Sequence, residues 1–564
     1  MSLPKEHSEE THRKLQAVNK DNIAKWLLES GYYPEQYVLP PCFNVSGLVL
    51  KEERYKEHTK VKAKELSKIS FPKTDLTERE FAVLHPHHYH DIVWELHQNW
   101  EDILAHLFNA ENKIYSYSFP IPPNNDEGGR KPLRSGRMIY EFLELAEKDL
   151  VAEAHRFGYI LKLDITNFYP SIYTHTISWA WEGRDKSDGR KICGKDSSDA
   201  LLGNRLDKLF QYANDRRTVG LPIGPALSDL IAEILLSERD LKISLQLDAD
   251  EEITGNYLAT RFKDDYRILC STEAVAKKIV RVLINTLKEF NYVVHEGKTK
   301  ITKLPNGLYR PHAVKYEPFS FRNPKNLTPE GKIHFKSFEN VLLRTLETHR
   351  EYPGTSIIEK FLSELIKNKR TKDVEGNNLV NDIADRLLLD FGQQKDGISS
   401  KSRITKIKKT VSLLFMLKNE SPKSMGKVLA IFEHILLFAN EDWFIDYFTD
   451  QVISQMKKSI INETAFELAW LLYFNCKHEL NIDLKRIYLN LRKEGKTKKD
   501  MSNCPVLRNP FIATLRGKRV GKGNIENQFE EDFEDITLFT PPSDLGTTYL
   551  IEYLDIFDRD KDDD

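Results

Sequence analysis

The sequence predicts an α+β domain followed by a helical one, and three observations carry that expectation. Between about 136 and 320, strand-like runs such as YILKLDI (159–165) and RFKDDYRIL (261–269) alternate with helical segments. Beyond about 330 the strand signal fades. Apolar residues there recur every three or four positions, in SIIEKFLSELIKNK, TVSLLFMLKN, KVLAIFEHILLFAN, WFIDYFTDQVISQM and ETAFELAWLLYFNC. Finally, 564 residues are too many for one ordinary domain.

Taken in order, residues 1–110 read as mainly helical, with the amphipathic DNIAKWLLESGY and the longer DIVWELHQNWEDILAHLF. The His-rich HPHHYH has no Cys or acid at a recognised ligand spacing, so a loop leading into a helix is expected. Residues 111–135, with SFPIPPNNDEGGRKPLR, have the Pro, Gly and Asn content of an extended loop or hairpin tip. Segments 196–217, 224–240 and 272–290 read as helices. Polar connections after 330 suggest helix pairs, stacked in a HEAT-like way but without a strict period. The expected divisions are 1–110, 111–325, 326–517 and an acidic, extended tail over 518–564.

Charge excludes little, since the formal net charge is −2. Its distribution is more telling. Acid collects in NQFEEDFEDI and DIFDRDKDDD, which leaves basic clusters at GGRKPLRSGR, GKTKITK, KNKRTK and SKSRITKIKK. Such patches can bind phosphate on a molecule that is neutral as a whole. Five cysteines without a C-x-x-C pair indicate neither zinc nor a disulfide framework, and a reducing cytoplasm is expected. No apolar run approaches the roughly 20 residues needed to span a membrane, and MSLPKEHSEETHRKLQ lacks the apolar core of a secretory signal.

The chemistry is expected at three carboxylates. Asp164 ends an apolar strand, where an isolated carboxylate is costly unless it is paired or ligates metal. Asp264 and Asp265 stand side by side where a hairpin normally recruits Gly or Asn. Adjacent carboxylates repel, and both stay ionised only with positive charge close by. If the two strands converge, Mg²⁺ is the expected partner, because it takes oxygen ligands and few carboxylates. For Asp164 alone, a cap or turn role stays open.

LKLDITNFYPSI (161–172), GLPIGPALSDLIAEILL (220–236), RFKDDYRIL and NYVVHEGKTKI (291–301) occur in this order within about 140 residues. Together they resemble the palm motifs of reverse transcriptases. The resemblance implies a right-hand polymerase with fingers and palm. It implies that Asp164 and Asp264, with Asp265 beside them, hold Mg²⁺ or Mn²⁺. Tyr169 would crowd the sugar 2′ position and so favour dNTPs. GLPIGP would lie near the incoming nucleotide, with Gly224 permitting close approach, and Ser228 would either face that site or cap the next helix. Lys298 would neutralise or protonate the leaving pyrophosphate. Among the basic residues of the fingers, Arg134 and then Arg130 are first choices for the triphosphate, with Lys131 and Arg137 beside them.

Three positions depart from the usual pattern. Phe262 replaces Tyr, Lys263 stands where a small or apolar residue is common, and Ile223 replaces Gln. Lys263 is expected to pair with an acid or with backbone phosphate. The motifs look most like those of the abortive-infection and unknown-group bacterial reverse transcriptases, AbiK-like members included. Proteins of that group act in phage defence, carry a helical C-terminal half, and often form oligomers. Some make DNA without a template from a protein hydroxyl, which here would be one of 23 tyrosines. Whether a non-coding RNA takes part is open. The alternatives are a templated polymerase of the retron or group II intron type and an inactive RNA-binding scaffold.

Overall fold

The structure is a computed structural model. It describes all residues except 1, 36, 56–62, 64, 74–76, 121, 123–138, 183–200, 322, 327–332, 367, 373–377, 383–390, 392–399, 439–440, 498–499, 518–535 and 546–564. Arg130, Lys131, Arg134 and Arg137 therefore lie outside the described residues.

A short hairpin, β1 (Ser67–Pro72) with β2 (Glu78–Val83), precedes the main sheet. That sheet contains β3 (Ile114–Ser116), β4 (Tyr159–Asp164), β5 (Tyr257–Phe262), β6 (Asp265–Cys270) and β7 (Lys300–Lys303), in the order β3-β5-β6-β4-β7. Only β3 and β5 run parallel. The alternation along β4 sorts its side chains between two layers. Leu161 and Leu163 enter the main core, whereas Ile160 joins Leu150, Leu258 and Leu269 in a smaller cluster on the other face.

Helices cover the sheet. Those before β4 are α1 (Leu3–Ala17), α2 (Lys20–Glu29), α3 (Pro86–Gln98), α4 (Trp100–Leu107) and α5 (Ile139–Glu153). After β4 come α6 (Phe168–Ser171), α7 (His175–Glu182), α8 (Leu202–Ala213) and α9 (Ala226–Asp248), then α10 (Glu273–Lys288) after β6. Pro225 is the N-cap of α9, whose long buried face includes Leu230, Ile234 and Leu247. Thr272 caps α10 by accepting from the Val275 N–H. Val275, Ile279, Leu283 and Leu287 recur every four residues on its buried stripe.

Past residue 330 the chain is not all helical. Asn368–Lys372 pairs with Asn378–Asp382 as a two-stranded ladder inside the helical half. Its first strand is part of the charged run KNKRTK, which has no apolar alternation to announce a strand. The helices that follow, Lys401–Glu420, Met425–Phe438, Asp442–Ile461, Ala465–Lys477 and Leu484–Lys493, measure 20, 14, 20, 13 and 10 residues. No HEAT-like period is shown by lengths so uneven. Ala465–Lys477 packs against the first hairpin, with the Phe466 ring 4.9 Å from that of Phe71.

The tail, expected to be extended, is docked over its described part. Ser46 and Thr537 exchange backbone hydrogen bonds, the Thr540 N–H reaches the Cys42 carbonyl at 2.8 Å, and Tyr33 donates to the Leu538 carbonyl at 2.7 Å. Leu538 is fully buried. Leu538→Ala is therefore expected to cost about 2–5 kcal/mol of stability, the range for a buried leucine, measurable by urea unfolding. A cost below about 0.5 kcal/mol, typical of surface changes, would mean that this segment does not stay docked.

Candidate active site

Register brings the carboxylates together. Asp164, last residue of β4, pairs directly with Asp265, first residue of β6. The same face continues inward through the pair Lys162 and Arg267, then Ile160 and Leu269. Directly paired residues share a face, so the sheet runs from an apolar base through two cations to two carboxylates at its rim. Asp264 lies in the two-residue turn between β5 and β6. Two backbone bonds fix the rim. The Ile165 N–H donates to the Asp264 carbonyl at 3.1 Å, and the His295 N–H to the Asp164 carbonyl at 2.7 Å.

The electrostatics follow from this crowding. Burial and then the Asp164 charge push the Asp264 carboxyl up to about 6. Burial also raises Asp265, although Arg267, 3.5 Å away, pulls the other way. Arg267 binds Glu147 of α5 at 2.9 Å, and Glu147 also accepts from Arg310. Burial lowers the Lys162 ammonium, with Arg267 beside it. Lys298 donates to Asp164 Oδ2 at 2.8 Å and is half exposed.

Among the described residues, no group of three or more His, Cys, Asp or Glu side chains is placed to hold a metal ion by itself. A divalent ion of the Mg²⁺ kind does not need one, since it keeps waters and substrate phosphates among its ligands. Burial and then the Asp164 charge raise the Asp264 carboxyl, and this crowding of carboxylates is the donor chemistry that such a cation relieves. The residues fit it.

The remaining candidates fall in different places. Tyr169 is half-buried on α6, and its hydroxyl donates to Asp229 Oδ1 at 2.5 Å. The close approach permitted by Gly224, at φ +133°, is to protein: a Cβ there would meet Pro34 Cγ at 2.8 Å and the Ala82 carbonyl at 3.3 Å. Ser228 does not cap α9, because Pro225 holds that place. Its Oγ is buried and has no hydrogen-bond partner among the described residues. Lys263 is no strand residue. It occupies the turn at φ +51° and pairs with an acid, Asp229, at 3.1 Å.

Sequence reasoning missed the layer beneath the turn. Arg261 is fully buried, with Nε 2.7 Å from Asp240 and both Nη atoms on Glu233 at 3.0 and 3.1 Å. Glu233 also accepts from Ser116 and Ser118, while Ser118 Oγ receives the Lys263 N–H at 2.7 Å. The available signal was the spacing of Glu233 and Asp240, seven residues apart on one helix, which places them on one face.

No protein-family model matches the chain. Over 200 residues it is 28% identical to the Retron Ec73 reverse transcriptase of Escherichia coli, which spans 35% of this chain and 60% of that protein. The chain is thus similar to a bacterial reverse transcriptase. Solved structures that overlap it include apo telomerase from Candida tropicalis, with 11% identity, a TM-score of 0.30, and 86% and 71% of the two chains covered. An RdRp complex overlaps with a TM-score of 0.32 at 10% identity, over 92% of this chain and 51% of the other. Among the described residues, no helix is long and apolar enough to cross a membrane.

Proposed function

We propose that this chain is a bacterial phage-defence reverse transcriptase that joins dNTPs into DNA, without a template and from a protein hydroxyl as primer. The observation that carries the polymerase reading is the meeting of Asp164, Asp264 and Asp265 at one rim, with the Lys298 ammonium on Asp164. Asp164 and Asp264, with Asp265 beside them, would hold Mg²⁺ or Mn²⁺. Bound there, such ions screen the phosphate charge and make the attacking hydroxyl more acidic. Lys298, held on Asp164, would either neutralise the leaving pyrophosphate or give it a proton. Tyr169 would crowd the sugar 2′ position and so favour dNTPs. Assembly into homo-oligomers belongs to the same proposal.

A second reading, RNA-templated synthesis of the retron type, is favoured by the sequence match to the retron enzyme. One assay separates the two. Purified protein is incubated with labelled dNTPs and Mg²⁺ or Mn²⁺, with and without an RNA template and primer, and the product is treated with protease. Label that stays with protein until digestion, without template, supports the first reading. Synthesis only with template supports the second. No incorporation in any arm removes both and leaves a scaffold. Lys298→Ala is expected to lower kcat about a hundredfold, the low end for a lost acid–base group, with the KM for dNTP changing less.

A further inference from the structure

The turn that carries Asp264 has an unusual occupant. Lys263 adopts φ +51°, a left-handed conformation that is unfavourable for a side-chain-bearing residue and that hairpins usually give to Gly or Asn. All three of its polar groups are engaged. Its N–H donates to Ser118 Oγ at 2.7 Å, its carbonyl accepts from Arg261 Nη1 at 3.1 Å, and its ammonium reaches Asp229 Oδ1 at 3.1 Å. The same Asp229 oxygen accepts the Tyr169 hydroxyl, and the Lys263 ammonium lies 5.9 Å from the centre of the Tyr169 ring. One carboxylate oxygen therefore joins three elements: the β5–β6 turn, the first turn of α9, and α6.

We infer that Asp229 and Lys263 are positioning residues that lock the Tyr169 ring to the Asp264 turn, and that this lock sets discrimination between deoxy- and ribonucleoside triphosphates. The inference rests on the polymerase reading above. A ring held only at Cα can rotate about its side-chain torsions and admit a 2′-hydroxyl. A ring also held at its hydroxyl, by a charge-assisted bond on a helix, cannot do so without breaking that bond. Lys263 has a second effect. It offsets the Asp229 charge, which would otherwise face the triphosphate from beside the three carboxylates. An uncompensated Asp229 would repel both nucleotides alike. Substitution of Lys263 should therefore weaken binding of each as well as loosen the ring.

The test compares wild type with Tyr169→Phe, Asp229→Ala, Lys263→Met, Lys263→Arg and the Asp229→Ala/Lys263→Met double variant. Single-nucleotide incorporation of dNTP and rNTP gives kcat and KM for each. Tyr169→Phe and Asp229→Ala are expected to lower the dNTP-to-rNTP ratio of kcat/KM by about tenfold or more, the size of one hydrogen bond to a charged group. Lys263→Met should do the same and raise KM for both nucleotides, with Lys263→Arg restoring most of the loss. The double variant should be no worse than the more affected single one. A parallel fall in both incorporations with the ratio unchanged would mean that packing alone holds the ring, and overturns the inference.

Urea unfolding of the metal-free variants supplies a readout independent of synthesis. The Asp229–Lys263 cycle should show coupling of about fivefold or more in the unfolding constant, as contacting residues do, and zero coupling overturns the lock. A wild-type protein that incorporates neither nucleotide overturns the polymerase reading and the selectivity claim with it. Coupling found in that case would identify the bridge as structural only.

Discussion

Asp264→Asn is expected to abolish nucleotide incorporation and, in the same protein without metal, to raise stability. Asp264 lies near Asp164 and Asp265, and its carboxyl is pushed up to about 6 by burial and by the Asp164 charge, against 3.8 for an ordinary aspartate. The sign follows from proton linkage. Between pH 3.8 and about 6 the folded chain keeps a proton that the unfolded chain has lost, so stability falls as pH rises through that window. It stays lower above the window. An amide carries no charge to suppress, so the variant should lose this part of the decline and exceed wild type at pH 7. Incorporation should drop by at least about a hundredfold, because charge stabilisation in phosphoryl transfer is lost with the ligand. Urea midpoints from pH 4 to 7 in chelator, beside a dNTP incorporation assay, check both halves. Mg²⁺ should raise the wild-type midpoint more than that of the variant. Synthesis surviving the substitution removes Asp264 from the site, and a variant less stable than wild type at pH 7 removes the account of its charge.

The rim of the sheet was readable because its chemistry is local. Asp164 ends an apolar strand and Lys263-Asp264-Asp265 stand where a hairpin usually recruits Gly or Asn, so the anomaly lies in adjacent positions. Their convergence needed only strands pairing in the order that the motifs suggested, and register then set Asp164 opposite Asp265. Lys263 was visible as an anomaly without a partner, because Asp229 is 34 residues away on a helix whose rotation a sequence does not show. Gly224 illustrates a different limit. A glycine announces a close approach but not to what, and here the neighbours are Pro34 and β2. The ladder of Asn368–Lys372 with Asn378–Asp382 was hidden because charge, rather than alternation, dominates its first strand. The docking of Leu538 on Tyr33 and of Thr540 on Cys42 joins segments about 500 residues apart. No window of local sequence encodes such a contact.

Arg261→Ala is expected to cost about 3–5 kcal/mol, the penalty for removing one partner of a buried ion pair, and to disorder the active turn with it. The guanidinium is 1% exposed and faces two carboxylates, Glu233 and Asp240, that are themselves buried. Burial already pushes Asp240 up to about 6 against the pull of Arg261. Without the guanidinium, both acids must either take up protons or remain as unpaired charges in a low-dielectric layer. Arg261→Lys should recover little, because a single ammonium cannot bind Glu233 through two nitrogens and Asp240 through a third. The triple change Arg261→Met, Glu233→Gln, Asp240→Asn should be far less damaging than Arg261→Ala, since no charge is then stranded. The effect on synthesis should differ. Arg261 Nη1 holds the Lys263 carbonyl, and Glu233 holds the Ser118 hydroxyl that receives the Lys263 N–H. The triple variant should thus fold and still incorporate nucleotides poorly, because the turn beside Asp264 has lost the arginine that grips it. Urea unfolding with incorporation kinetics on all three variants reads this out. An Arg261→Ala protein within about 1 kcal/mol of wild type would show that the layer beneath the turn does not bear on its stability.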